Sequence, residues 1–408
     1  MSGKALEGLK VVELASFVAG PYCAKLLADL GADVIKIEEP PAGDLARTRG
    51  PFPDDIPHPE RSGLFLLLNT SKRGVTLDVG TATGRDIFKR LVAWADILVE
   101  DHAPQQMEER GLTYQDLKAE NPGLIMTSIS PFGQSGPYRD FKAYPLNTFH
   151  SGGEPCIMLH GTSSPGRAPI NGPAFMGECD CGLGAAIATL GALYWRGASG
   201  RGQHIDASKQ DMLISLERLE NVLYHNRKKD ETRALIDAAA KGAGMVGGLL
   251  RCQDGYVVLA AMQDNQWRGL VDLMGDPEWA RDERFQGEDS RTLHAREATA
   301  RVQEWMEHRT KEEVFRGGQA RGVPVGAVQS PQDLVHSPQL RARGFFAEVD
   351  HPQAGRFEYP AAPYIFSETP WAATRPAPLL GEHNEEVYRG LLGYRAIDLV
   401  KMRVAGII

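Results

Sequence analysis

Residues 172–208 constrain this chain more than any other stretch: GPAFMGECDCGLGAAIATLGALYWRGASGRGQHIDAS. Two acids, Glu178 and Asp180, stand before a long apolar run over 182–195. A basic turn, Gly200-Arg201-Gly202-Gln203, follows and leads into a short strand-like segment at 204–207. Leu183, Ile187, Leu190, Ala192 and Tyr194 recur at helical spacing with no proline among them. Gly182, Gly184, Ala185, Ala186, Ala188 and Gly191 are small enough for close packing, so the run predicts a buried helix. The acids fall just before it or in its first turn, where free backbone N–H groups and the helix dipole favour a carboxylate. An acid there can serve as a cap or as a chemical group.

The flanking sequence predicts an α/β fold: a large Rossmann-like parallel-sheet domain with a smaller α+β domain. Residues 9–14 form a β-type run. Residues 21–30 form a helix with Cys23, Leu26, Leu27 and Leu30 on one face and Gly31 as its stop. A second strand follows at 34–37, so this is a βαβ unit, for which a right-handed crossover is expected. The pattern repeats with a helix at 84–94 and a strand at 97–99, and a further strand falls at 124–129. The first turn reads Phe17-Val18-Ala19-Gly20-Pro21, not G-x-G-x-x-G, which weighs against a nicotinamide enzyme. Residues 39–63 read as a surface loop. After Ser208 the pattern predicts a helix over 212–226, a charged stretch, a glycine-rich segment at 242–248, a hairpin over 249–262 turning at Asp254-Gly255, and helices near 264–273, 294–309 and 311–319. The predicted layout is a large domain over 1–200, a linker helix over 201–225, a small domain over 226–325, and a return to the large domain over 326–408.

A chain of 408 residues has room for two such domains. Its formal net charge of −8 argues against a general nucleic-acid partner. No 18-residue uncharged apolar run exists, so no membrane span is expected. Residues 1–10 lack the apolar core of a signal peptide. The five cysteines, Cys23, Cys156, Cys179, Cys181 and Cys252, are sparse and odd in number, as reduced thiols of the cytoplasm would be. Cys179 and Cys181 offer only two thiols at C-x-C spacing, so no metal site is expected.

Five collinear blocks carry a family resemblance: LEGLKVVELASFVAGPYCAKLLADLGADVIKIEEP (6–40), LNTSKRGVTLDV (68–79), the 172–208 stretch, RGVPVGAVQSPQDLVHSPQL (321–340) and APLLGEHNEEV (377–387). Together they resemble the family III CoA-transferases, the group of formyl-CoA transferase, carnitine CoA-transferase and methylacyl-CoA racemase. The resemblance implies transfer of coenzyme A from an acyl-CoA donor to a carboxylic acid acceptor, through an acyl-enzyme anhydride and an enzyme–CoA thioester on a carboxylate. It implies a CoA thioester as substrate and no permanently bound cofactor. It also implies an interlocked dimer, either a homodimer or a heteromer with a related subunit.

Carried onto this chain, the family's CoA contacts fall on Phe17 and Val18 in the first turn, and on Asn69, Lys72 and Arg73, with Lys72 approaching CoA. His102 and Ala103 belong to Glu100-Asp101-His102-Ala103-Pro104, which resembles the family's E-N-F-x-P turn with Asp101 in place of a neutral amide. Arg110 matches the arginine that follows. Phe132 and Gly133 belong to a small loop beside the thioester. The family's nucleophile is an aspartate four residues before the glycine that opens the helix. Counting back from Gly182 reaches Glu178, the first candidate; Asp180 is second, and at ~100° per residue it points elsewhere. The extra methylene of glutamate displaces the carboxylate by roughly 1 Å, a shift that can cost ~100-fold in rate.

Three functions follow: a homodimeric CoA-transferase using Glu178; a supporting, non-catalytic subunit of a heteromeric enzyme, as in benzylsuccinate CoA-transferase; and an acyl-CoA racemase or isomerase. The last is disfavoured, because racemase members carry their base in Gly-His-Asp, where this chain reads Ala143-Tyr144-Pro145-Leu146-Asn147. That leaves His150 as a structural or substrate-facing residue. Residues around 144–156 are placed at the acyl pocket. The 242–248 segment is either a loop that closes over the thioester or a turn into the hairpin.

Overall fold

The computed structural model describes residues 3–157, 169–173, 175–216 and 244–408, with 222 and 225 besides. Six short segments pair into one parallel sheet: β1 (Lys10–Leu14), β2 (Asp33–Glu38), β3 (Arg73–Thr76), β4 (Ile97–Glu100), β5 (Ile125–Ser130) and β6 (His204–Ser208). Their order is β3-β2-β1-β4-β5-β6. β4 and β5 are buried along their whole length, as strands covered on both faces must be. Val12 of β1 lies between Ile35 of β2 and Leu98 of β4 in register. These residues join one apolar core with Phe88 and Leu91, and with Val387, Tyr388 and Leu399 from the end of the chain. The progression runs one way from β1 and the other way from β4. The crevice above the carboxyl ends of these two strands is therefore where an open α/β sheet receives a ligand.

The helices of this part are α1 (Ala19–Asp29), α2 (Gly63–Leu68), α3 (Ala82–Trp94), α4 (Pro104–Arg110), α5 (Tyr114–Glu120), α6 (Pro145–Ser151), α7 (Glu154–Ile157), α8 (Met176–Ser199) and α9 (Lys209–Leu216). α8 begins before both acids, so Glu178 and Asp180 lie inside the helix. Its inward stripe is Gly177, Glu178, Cys181, Gly182, Ala185, Ala186, Thr189 and Ala192. A Cβ on Gly182 would stand 2.6 Å from the carbonyl oxygen of Ala19, so only glycine permits this approach of α8 to α1. The helix expected to be buried all round is buried on this stripe alone. Large apolar residues also occupy the opposite side, where Ile187 is 63% and Tyr194 87% exposed. α8 ends on Gly200, whose φ of +70° suits a residue without a Cβ.

The chain divides into two compact units: residues 1–154, 171–217 and 339–408 in one, and 155–170 with 218–338 in the other. The second unit holds an antiparallel sheet of β7 (Val246–Cys252), β8 (Gly255–Ala261) and β9 (Val325–Ala327). Val257, Leu259, Trp267, Leu270 and Val302 centre its core. Its limits differ from the predicted 226–325: residues 155–170 and 326–338 group with it, while β6 and α9, read as the start of a linker, belong to the first unit. The predicted helix over 212–226 is described as a helix to Leu216; most of its remainder and residues 241–243 lie outside the described residues. Gly247 and Gly248 sit within β7, so that part of the glycine segment belongs to the hairpin. A Cβ on Gly247 would meet the Leu259 carbonyl oxygen at 2.1 Å, which accounts for that glycine. Among the described residues no helix is long and apolar enough to cross a membrane.

Candidate active site

The turn after β1 is fixed by carboxylates. The Ser16 N–H donates to both oxygens of Asp101, at 3.0 and 3.1 Å. The Phe17 N–H donates to Asp44 Oδ1 at 2.8 Å. Anchored on both sides, Phe17 holds a left-handed backbone with φ +74°. Phe175 does the same at the start of α8, with φ +60°. Their rings meet edge to face, with centroids 4.8 Å apart.

Below this turn lies a closed group of charges. Lys36 Nζ is 2.8 Å from Glu13 Oε1 and 2.7 Å from Asp44 Oδ2, and Lys72 Nζ is 2.7 Å from Glu13 Oε2. Lys72 also donates to the carbonyl of Pro21 and to Asn69 Oδ1, both at 2.8 Å. Burial would push Asp44 up, but Lys36 reverses that and holds it below the usual carboxylate range. Burial pulls Lys72 down to about 8 even with Glu13 beside it.

These contacts give Asn69, Lys72 and Arg73 protein partners. Lys72 and Asn69 have no exposed surface, and Lys72 spends its donors on three protein oxygens, so neither reaches a phosphate in this structure. Arg73 lies at the amino end of β3, paired with Asp33 and Glu386, whereas the crevice is at the carboxyl ends. Val18 is buried and faces the core; Phe17 lines a cavity.

Glu178 sits in the first turn of α8, 4% exposed. Its Oε2 is 2.7 Å from Nζ of Lys209, the residue that opens α9 directly after β6. Burial opposes the Lys209 charge, but Glu178 and then Asp101 hold the ammonium above its ordinary value. Asp101 is pushed well above the usual carboxylate range by burial, against the pull of Lys209 and the Ser16 N–H. Glu178 forms one wall of a cavity of about 440 Å³. The other walls include Phe17, Phe149, Phe175, Tyr144, Leu146 and Met176, with Arg49 also in the lining. Asp180 is outside that lining and half-buried; burial raises its carboxyl. His150 bonds the Leu146 carbonyl through Nδ1, away from the cavity lining.

Unsatisfied polar atoms mark the segments beyond β4 and β5. Nδ1 of His102, Nη1 of Arg110, Nε of Arg139 and Nε2 of Gln134 are buried without a hydrogen-bond partner. Burial, then the nearby Arg110 charge, lowers His102 to about 4, so its ring is neutral at pH 7. Ala103 is exposed beside it. Gly133 has φ +88°, and a Cβ there would stand 3.3 Å from Asp206 Oδ1; Phe132, partly exposed, meets Tyr138 edge to face. Sequence patterns missed Lys209, Arg139 and Gln134. A lysine opening a helix after a strand is an ordinary sight, and only the fold shows that this one faces Glu178.

The family model described as CoA-transferase family III matches residues 6–384. The chain belongs to that family. It is 32% identical to the formyl-CoA:oxalate CoA-transferase of Rhodopseudomonas palustris strain CGA009, over 99% of this chain and 97% of that one. It is 31% identical to the enzyme of the same name from Bradyrhizobium sp. strain ORS 278, with the same shares covered. Among solved structures, a CaiB/BaiF family protein from Brucella suis superposes on this CoA-transferase with a TM-score of 0.83 at 34% identity, covering 95% of this chain and 99% of that one. A Mycobacterium tuberculosis protein described as hypothetical gives 0.78 at 27%, covering 94% and 99%.

Proposed function

We propose that this CoA-transferase carries its reaction on Glu178. The observation that carries the reading is a carboxylate in the first turn of α8, at the wall of an apolar cavity beside the β1 turn. A Glu178 oxygen attacks the thioester carbonyl, and CoA leaves as thiolate, giving a mixed anhydride. The thiolate then attacks the Glu178 carbonyl and releases the donor acid, leaving an enzyme–CoA thioester. An acceptor carboxylate reverses both steps. Splitting the transfer in this way replaces one hard displacement by easier ones. N–H groups at the start of α8 are suited to the tetrahedral oxyanion. The unsatisfied donors of Arg110 and Arg139 suit the anionic groups of CoA.

The cavity favours an acyl group larger than formyl. A space of about 440 Å³ walled by phenylalanine, tyrosine, leucine and methionine gives two-atom acids little to touch. We expect an aryl or branched acyl group, unlike the substrates in the names of the Rhodopseudomonas relatives. The outward apolar face of α8 supports assembly with a second subunit. The free thiols of Cys23, Cys179, Cys181 and Cys252 support a cytoplasmic setting.

The test is CoA exchange between formyl-, succinyl-, hexanoyl- and phenylacetyl-CoA and the matching free acids, with wild-type protein and Glu178→Gln. Exchange fastest with phenylacetyl or hexanoyl, and lost in the variant, supports the reading; exchange unaffected by Glu178→Gln sinks it. The second reading, a supporting subunit, is favoured by one observation: glutamate stands where the family has aspartate. Native mass spectrometry of the protein from its own cells decides it. A stoichiometric complex with a relative carrying aspartate at this position moves the chemistry to that partner.

A further inference from the structure

Lys209 stands out because the chemistry described so far leaves a partly buried cation unused. It is held rigidly: α9 starts where β6 ends, and Cys181 Sγ donates to the Lys209 carbonyl at 3.5 Å. Its ammonium takes one oxygen of Glu178 at 2.7 Å. Asp101, itself clamped by the Ser16 N–H, is the next acid acting on that ammonium after Glu178. Glutamate has one more torsion than aspartate, so its carboxylate is harder to aim. An ion pair on one oxygen fixes that torsion and leaves the other oxygen free.

We propose that Lys209 is the positioning residue that makes a glutamate workable here: it pins Oε2 of Glu178, aims Oε1 at the thioester, and remains as a fixed positive charge beside the reacting groups. The inference rests on Glu178 being the nucleophile. In the first step the Oε1–C bond forms, the C–S bond breaks, and the electron pair leaves on sulfur. The negative charge passes from carboxylate to thiolate, and no proton or further reagent is needed. In the second step the S–C bond to Glu178 forms and the anhydride C–O bond breaks, with its pair leaving on the donor carboxylate.

The experiment uses the full chain, the best donor of the four-thioester panel, and two readouts: steady-state exchange, and intact-mass detection of the CoA adduct on Glu178. Lys209→Met is expected to lower kcat by ~100-fold with KM for the thioester held within about three-fold, as misaim of a reacting group does. Lys209→Arg is expected to recover at least about ten-fold of that loss. If Lys209→Met does not fold, Lys209→Gln takes its place under the same criteria. A kcat within about two-fold of wild type, or an arginine variant no better than the neutral one, overturns the proposal and leaves Glu178 as nucleophile. Full activity in Glu178→Gln, or no adduct with any donor, removes the nucleophile reading itself and this proposal with it.

Discussion

Two assemblies of lysine and acid lie close together in the first unit, and they behave differently. The Glu13–Lys36–Asp44–Lys72 group is sealed: none of its side chains exceeds 1% exposure. The Glu178–Lys209 pair is open on one side, since Glu178 lines the large cavity. Residue types are the same in both. What differs is access, and whether every oxygen and ammonium hydrogen already has a partner. A buried pair with nowhere to go holds a turn in place; a pair with one free oxygen at a cavity wall is available for chemistry.

The sharpest way to break the comparison is at the open pair. Glu178→Gln should reduce CoA exchange by ~10⁴-fold or more, the scale seen when a nucleophile is removed, with little change in melting temperature. The sealed group predicts the reverse. Lys72→Met should cost about 3 kcal/mol by denaturant titration, because Glu13 loses a buried partner, while KM for acyl-CoA in the folded fraction stays unchanged. A raised KM with unaltered stability would return Lys72 to the ligand. Gly182→Ala should cost about 1–3 kcal/mol, since its methyl would press on the Ala19 carbonyl and push α8 off α1.

The smallest expected effect concerns a buried acid without a cation. Glu100 is fully buried, and burial raises it to about 7 despite hydrogen bonds from Ser128 and the His102 N–H. An unfolded glutamate ionises near 4.5 and the folded one near 7, so between these values the native state holds the extra proton. This contribution to stability is full below 4.5 and falls as pH rises through 7. His102, lowered to about 4, acts in the opposite sense between 4 and its ordinary value of 6.5. Wild type therefore masks part of the effect, and the difference between Glu100→Gln and wild type isolates it: the variant should gain stability relative to wild type from pH 5 to pH 8.

The parallel sheet was legible in the sequence because its strands are short apolar runs set apart by amphipathic helices, and both faces are covered. The place of Glu178 at the start of a helix was legible because the apolar run after Gly182 has helical spacing. Lys72 and Lys209 were not. Whether a lysine meets solvent or a carboxylate from another strand depends on pairings remote in sequence, and no local pattern separates the two. The exposed side of α8 was misread for a related reason: apolar residues lie all round that helix, and sequence cannot say which side its own chain covers.

Phe17 and Phe175 sit opposite each other with unfavourable left-handed backbones, each held from behind, one by Asp44 and the other by the first turn of α8. The corner of the pocket formed by these two rings is thus set by main chain as well as by the choice of side-chain rotamer. Leu45, Leu146 and Tyr144 line the same pocket from separate segments and carry no such constraint. Residues on those segments can then be replaced without moving Glu178. A fold arranged in this way lets a lineage change what it handles while keeping how it handles it.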